Sequence, residues 1–251
     1  MRRSVMAMAV LAVFAPIFAC APAAAQQDRQ SVLAGILKGI SRPATGPAIS
    51  QRDAAAGLRE ALQGSVVQVT TRLGRVDGFF RDPKVHIPLP GTLASAQRGL
   101  RPLGMAGPLD DLELKMNRAA EAAMPQAKTL FLDAVRSITF SDALSIVRGG
   151  DDAATRYLRE KSQTRLAELM RPYMESALRQ SGAFSALDAA VARSPINAGV
   201  AVSNLRGEIV NFAVSKALDG AFAYVAEEER AIRHDHARRT SDLLRRVFGQ
   251  R

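Results

Sequence analysis

Apolar residues recur along this chain at three- and four-residue spacing over long stretches, a period that predicts helices rather than strands. Leu58, Leu62, Val66, Val69 and Leu73 make one such face, with Ser50 as N-cap, Asp53 three residues on and Gly74 as the stop. A short helix with Leu93, Ala96 and Leu100 follows, capped by Thr92, and then a turn over residues 104–108. A long helix is predicted over residues 109–138, with Leu112, Met116, Ala119, Ala123, Ala127, Leu130 and Ala134 along one side and a kink at Pro125. Ser141 and Asp142 open a short helix that stops at Gly149 and Gly150. Asp151 caps the next helix, which carries Tyr157, Leu158, Leu166 and Met170, bends at Pro172 and ends near Gly182. Residues 184–193 form a short helix, residues 194–202 a loop, and residues 204–233 the last long helix, with Leu205, Ile209, Phe212, Leu218, Phe222, Val225 and Ile232. A final helix covers residues 237–248 and ends at Gly249. No alternating strand pattern and no internal repeat stands out. The reading is an all-α bundle of about eight helices.

One segment breaks the pattern. Residues 78–91 contain Pro83, Pro88 and Pro90, which exclude regular helix, so extended or polyproline backbone is expected there. Phe79, Phe80, Val85, Ile87 and Leu89 lie in the same segment, so it should be packed down rather than loose.

The N-terminus changes the picture from fold to location. Arg2 and Arg3 precede an apolar run that ends in Ala-Pro-Ala-Ala-Ala, the pattern of a signal peptide over residues 1–25 with cleavage after Ala25. The run is short for a membrane span of roughly 20 residues, and no later segment reads as apolar enough to make one. Cys20, the chain's one cysteine, lies inside this signal. Ile17-Phe18-Ala19-Cys20 also resembles a lipobox, so lipidation at Cys20 is the alternative to soluble export. Either way no disulfide is expected. Residues 26–49 read as a flexible lead segment and residues 50–251 as a single helical domain.

Aromatic residues make up 5% of the chain and tryptophan is absent, while alanine and leucine abound, which favours helix. The net charge of +10 would raise nucleic acid as a partner for a cytoplasmic protein; export removes it. Seven arginines against Asp235 and Asp242 in residues 230–251, with Leu243, Leu244, Val247 and Phe248 as an apolar face, raise peripheral contact with an anionic membrane surface. Docking of that helix on the bundle is the plainer reading.

Candidate chemistry is sparse. There is no HExxH, P-loop, Gly-x-Ser-x-Gly or paired CxxC motif. His234-Asp235-His236 places two imidazoles two residues apart, which do not share a helix face, so no metal site is assigned. No cofactor and no catalytic residue is assigned either. Asn117 and Glu121 share a helix face at i, i+4, and Arg156 and Asp219 add polar groups within otherwise apolar faces. Together with Phe79 and Phe80, these four make a candidate ligand-binding set; the competing reading is interhelical ion pairs that set register.

Several ordered blocks carry a family resemblance: Asp77-Gly78-Phe79 with Asp82-Pro83-Lys84-Val85 and Ile87-Pro88-Leu89-Pro90; Asn117-Arg118-Ala119-Ala120-Glu121; Phe140-Ser141-Asp142-Ala143; Asp151-Asp152-Ala153-Ala154-Thr155; Ala217-Leu218-Asp219-Gly220; Glu228-Glu229; Ile232-Arg233; and Thr240-Ser241-Asp242-Leu243-Leu244. Over residues 53–249 the chain resembles the domain-of-unknown-function 4197 family of exported bacterial proteins. The resemblance implies one domain and an envelope location, and it assigns no activity. His236 stands where the family is expected to have proline.

Three functions follow as expectations. The first is a non-enzymatic periplasmic protein that binds an apolar small molecule or an envelope component. The second is a hydrolase of envelope polymers using interhelical carboxylates such as Glu121 and Asp219. The third is a structural scaffold. An apolar cavity of roughly 300 Å³ or more favours the first, two carboxylates facing across an open cleft the second, and an interior of paired charges the third.

Overall fold

The computed structural model describes residues 49–137, 139, 143–192 and 202–249. The predicted signal over residues 1–25, Cys20, nearly all of the 26–49 lead segment, the Ser141–Asp142 helix start and most of the 194–202 loop lie outside them. Among the described residues there are eight α-helices and no strand: α1 Gln51–Leu73, α2 Gly91–Leu100, α3 Gly107–Ser137, α4 Ala143–Arg148, α5 Ala153–Gln180, α6 Ala183–Ala192, α7 Val202–His234 and α8 Asp242–Phe248. The chain is an all-α bundle, as the apolar spacing predicts.

The four long helices form the frame. α1 packs on α3, α3 on α5, α5 on α7 and α7 on α1, which closes a four-membered ring of neighbours. α6 lies on α3, while α4 and α8 lie on α1. The core is lined by the expected faces: Leu58, Leu62, Val66, Val69 and Leu73 of α1 are fully buried, as are Leu112, Met116 and Ala119 of α3. Further along α3 the buried positions are Phe131 and Val135, with Leu130 and Ala134 only half covered. Phe131 meets Phe222 of α7 edge to face, with ring centroids 5.1 Å apart.

Helix ends follow local chemistry in part. Ser50 Oγ accepts from Asp53 N–H at 3.0 Å and donates to Asp53 Oδ2 at 2.8 Å, close to the predicted capping box. Gly182, at φ 76°, ends α5 in the left-handed conformation that glycine takes without strain. Pro125 and Pro172 both lie inside continuous helices. Three starts differ from expectation. α2 begins at Gly91 with Pro90 at the cap position and no side-chain cap, one residue before Thr92. α5 has Asp152, not Asp151, at its cap position, and Asp152 makes no capping bond. The last predicted helix is split: residues His236–Arg238 form a 3-10 turn and α8 starts only at Asp242, where Ser241 Oγ accepts from Leu244 N–H at 3.1 Å.

One helix also corrects the hydropathy reading. Within residues Asn204–His234 of α7, one 18-residue stretch reaches the length and apolarity of a spanning helix, and 61% of that stretch is buried inside the protein. That burial fits a core helix of the bundle.

Candidate functional site

Residues 78–90 run over α3 and are held by two of its side chains one turn apart. Residues 79–85 are a series of turns rather than extended chain, closed by Asp82 N–H to Phe79 O at 3.2 Å, Val85 N–H to Asp82 O at 3.1 Å and His86 N–H to Asp82 O at 2.8 Å; residues 86–90 have no regular structure, and Pro90 is extended. Phe79, Val85, Ile87 and Leu89 are buried, so the segment is packed down as expected. Asn117 reads Ile87 as a strand partner would: its Oδ1 accepts from Ile87 N–H at 2.9 Å and its Nδ2 donates to Ile87 O at 2.8 Å. Glu121, 4% exposed, accepts at Oε1 from the N–H groups of Phe79 and Phe80 at 3.1 and 3.2 Å. Its Oε2 accepts from Arg118 at 2.8 Å. Arg118 also holds Asp77 at 2.6 Å, and Asp77 sits at φ 67°, among the described residues the one non-glycine in that region. The bond to Glu121, against a smaller burial effect, raises the proton affinity of Arg118.

A second clamp joins the same segment to α1 and α7. Asp82 Oδ2 accepts from the Tyr224 hydroxyl at 2.5 Å and from Arg72 at 3.1 Å, while Oδ1 accepts from Lys84 N–H at 3.1 Å. Burial pushes the Asp82 carboxyl up, but the Tyr224, Lys84 and Arg72 contacts outweigh it and hold the group below its usual range. Burial, and then the bond to Asp82, push the Tyr224 phenol up. Close by, a Cβ on Gly220 would lie 3.0 Å from Val85 Cβ and 3.3 Å from Phe79 Cε1. Glycine there lets α7 approach the segment. His86 completes the local network, donating from Nδ1 to Phe80 O at 2.8 Å and pairing through Nε2 with Glu113 at 2.6 Å.

Phe79, Phe80, Asn117 and Glu121 are therefore brought together, with Asn117 and Glu121 Oε1 bonded to the backbone of the segment and Glu121 Oε2 to Arg118. Arg156 and Asp219 stand elsewhere. Arg156 is two-thirds exposed and pairs with Asp152 at 3.0 Å; Asp219 pairs with Arg159, one helical turn beyond Arg156.

The matching block structure has a plain counterpart at the family level. A family model described as a protein of unknown function, DUF4197, matches residues 48–249. The chain belongs to this family. No curated protein and no solved structure matches it.

Two further features of this DUF4197 domain lie outside the candidate ligand-binding set. The first is a buried ion pair at the base of α5. Glu229 of α7 accepts from Ala154 N–H at 2.9 Å and from the Thr155 N–H and hydroxyl, both at 2.7 Å, so it supplies the cap that Asp152 does not. Arg233, one turn on, bonds Glu229 at 2.6 Å and spends its remaining donors on Val147 O at 2.7 Å and Ile146 O at 3.1 Å, at the end of α4. Both side chains are at most 2% exposed. Arg239 closes the end of α7 by donating to Ile232 O at 2.9 Å and Arg233 O at 2.6 Å. Asp151, predicted as the cap, pairs instead with His234 at 2.7 Å, while His236 Nδ1 accepts from Arg239 at 2.9 Å. The two imidazoles thus serve different partners. Beside this network, Leu244, Val247 and Phe248 of α8 are buried, and Val247 sits against Gly57 of α1. The apolar face offered to a membrane by the sequence is taken up by the bundle.

The second feature is a surface groove between α5 and α7. One hollow of about 790 Å³ includes Arg159, Thr164, Arg171, Asn211 and Ser215 in its walls. It adjoins another of about 530 Å³ walled by Arg171, Glu175, Arg179, Phe184, Arg206, Gly207 and Val210. Arg171 belongs to both. Helical spacing could have placed Arg171 and Arg179 on one face of α5, but nothing in the sequence says that α7 lies across from them.

Proposed function

We propose that this DUF4197 protein is a non-enzymatic binding protein of the cell envelope that takes its ligand in the groove between α5 and α7. The groove itself carries the reading: two adjoining hollows of about 790 and 530 Å³ fall in the size range of roughly 300–1,000 Å³ typical of ligand sites. The residues first suspected of chemistry have other employment. Glu121 is nearly inaccessible and already accepts three hydrogen bonds, which is a poor state for a general acid or base. Asp219 faces Arg159 rather than a second carboxylate. The envelope location rests on the signal pattern in residues 1–25.

The test is native mass spectrometry, with solvent extraction, of protein purified from the periplasm. A variant with both Ser215→Trp and Gly207→Trp, at exposed positions in the walls of the two hollows, is compared with the wild type. The expected result is a co-purifying small molecule on the wild type that is missing from the variant. An empty wild-type protein, or equal occupancy of both, would overturn the reading and leave a purely structural role. Intact mass of the same sample separates cleavage after Ala25 from lipidation at Cys20.

A further inference from the structure

Arg171 stands where the two hollows meet. Its Nε donates to Asn211 Oδ1 at 3.0 Å, and its Nη2 bonds the same oxygen. Asn211 thus fixes one edge of the guanidinium and leaves the other edge, a parallel pair of N–H groups from Nη1 and Nη2, for a ligand. The partner is a neutral amide, so the charge is not cancelled. The carboxylates nearest along the helix, Glu168 and Glu175, line the two hollows but pair with other arginines, Glu168 with Arg165 at 3.4 Å and Glu175 with Arg179 at 3.1 Å. Among the described residues no ion pair is made by Arg171. The adjoining hollow has an apolar floor of Phe184 and Val210, with Arg206 above the Phe184 ring at 5.4 Å and paired to Asp188 at 2.6 Å.

We propose that this hollow binds a small amphiphile with one anionic head group, a carboxylate or a phosphate, gripped by the fixed Arg171 fork, with its apolar body against Phe184 and Val210. The proposal rests on the α5–α7 groove being the binding surface. A planar guanidinium held by its far edge meets two oxygens of such a head without further ordering, and the head adds negative charge to a wall where Arg171, Arg179 and Arg206 outnumber Glu175. A neutral apolar ligand would leave the cation uncompensated; a cationic one would be repelled.

The experiment is calorimetric titration of the purified protein with decanoate and with decyl phosphate, beside inorganic phosphate and decyltrimethylammonium as head-only and opposite-charge controls. Either anionic amphiphile should bind more tightly than both controls, and the tighter of the two names the head group. Arg171→Ala should weaken binding about tenfold or more, and Arg171→Lys, which keeps the charge but not the fork, should fall between. Arg171 is exposed, so both variants should melt with the wild type. Undiminished binding by Arg171→Ala, or equal binding of the cationic amphiphile, would overturn the proposal. If Gly207→Trp with Ser215→Trp still empties the groove in that event, the groove stands and only the ligand class falls. If that double variant also has no effect, both fall.

Discussion

Replacing Glu229 by glutamine should be among the most damaging single changes in the protein. The glutamine keeps the length and one acceptor oxygen, so part of the cap on Ala154 and Thr155 can survive. What is lost is the negative charge opposite Arg233, whose side chain is 1% exposed and has no water to turn to. Breaking one partner of a buried pair costs about 3–5 kcal/mol, and partial loss of the cap adds up to about 1 kcal/mol. Total stability of a domain is about 5–15 kcal/mol, so the loss is a large fraction of it. For a domain of this length 1 kcal/mol moves Tm by about 2–4 °C, so a loss of about 3–6 kcal/mol should lower it by roughly 6–24 °C. Urea unfolding followed by circular dichroism should give the same loss at an unchanged slope. Arg233→Met in the Glu229→Gln background removes the stranded cation and should recover part of the stability, which a double-mutant cycle reads directly. A loss below about 1 kcal/mol for Glu229→Gln, or strict additivity with Arg233→Met, would refute the reasoning.

Asn117→Ala leaves the Ile87 N–H and C=O buried without their partner, at a cost of about 3 kcal/mol by denaturant unfolding, with hydrogen exchange rising first at residues 86–90. Gly220→Ala drives a methyl into Val85 and Phe79 and should cost about 1–3 kcal/mol; Gly64→Ala on α1, where nothing lies within 4 Å, should cost nothing by the same measurement. Asp82 has a folded pKa below its ordinary value of 3.8, so its stabilising effect is complete above that pH and is lost as pH falls through the folded value; Asp82→Asn should remove that acid-side slope from a Tm–pH profile. Tyr224 has a folded pKa above 10.0, so its effect is complete below that pH and is lost as pH rises; Tyr224→Phe should remove the alkaline slope.

The long helices were readable because each buries one side. Leu58 to Leu73 on α1 and Leu205 to Phe222 on α7 repeat at the helical period, and burial in the bundle enforces it. The packed character of residues 78–90 was readable too, since prolines forbid helix and the apolar residues between them demand cover. That Asn117 and Glu121 act together was visible from their i, i+4 spacing; that their partners are backbone N–H and C=O groups of residues 79–87 was not, because backbone groups carry no sequence signal. The start of α5 shows the limit most clearly. Asp151 and Asp152 are the local candidates for its cap, yet Glu229, some 75 positions along the chain, takes the task. Asp219 illustrates the same difficulty: Arg156 and Arg159 lie one turn apart, and only the relative placement of α5 and α7 decides that Arg159 is the partner.

The contact between Gly57 of α1 and Val247 of α8 brings the first and last described helices side by side. A new peptide linker could then join residue 249 to residue 49 along neighbouring helices, and the chain could be cut elsewhere. The turn at Leu103 and Met105, both more than half exposed, offers the place to open it. Such a circular permutant would begin with α3, which touches α1, α5 and α6, and would end with α1 followed by α2. Its folding would show whether the bundle depends on chain order or only on the faces its helices present.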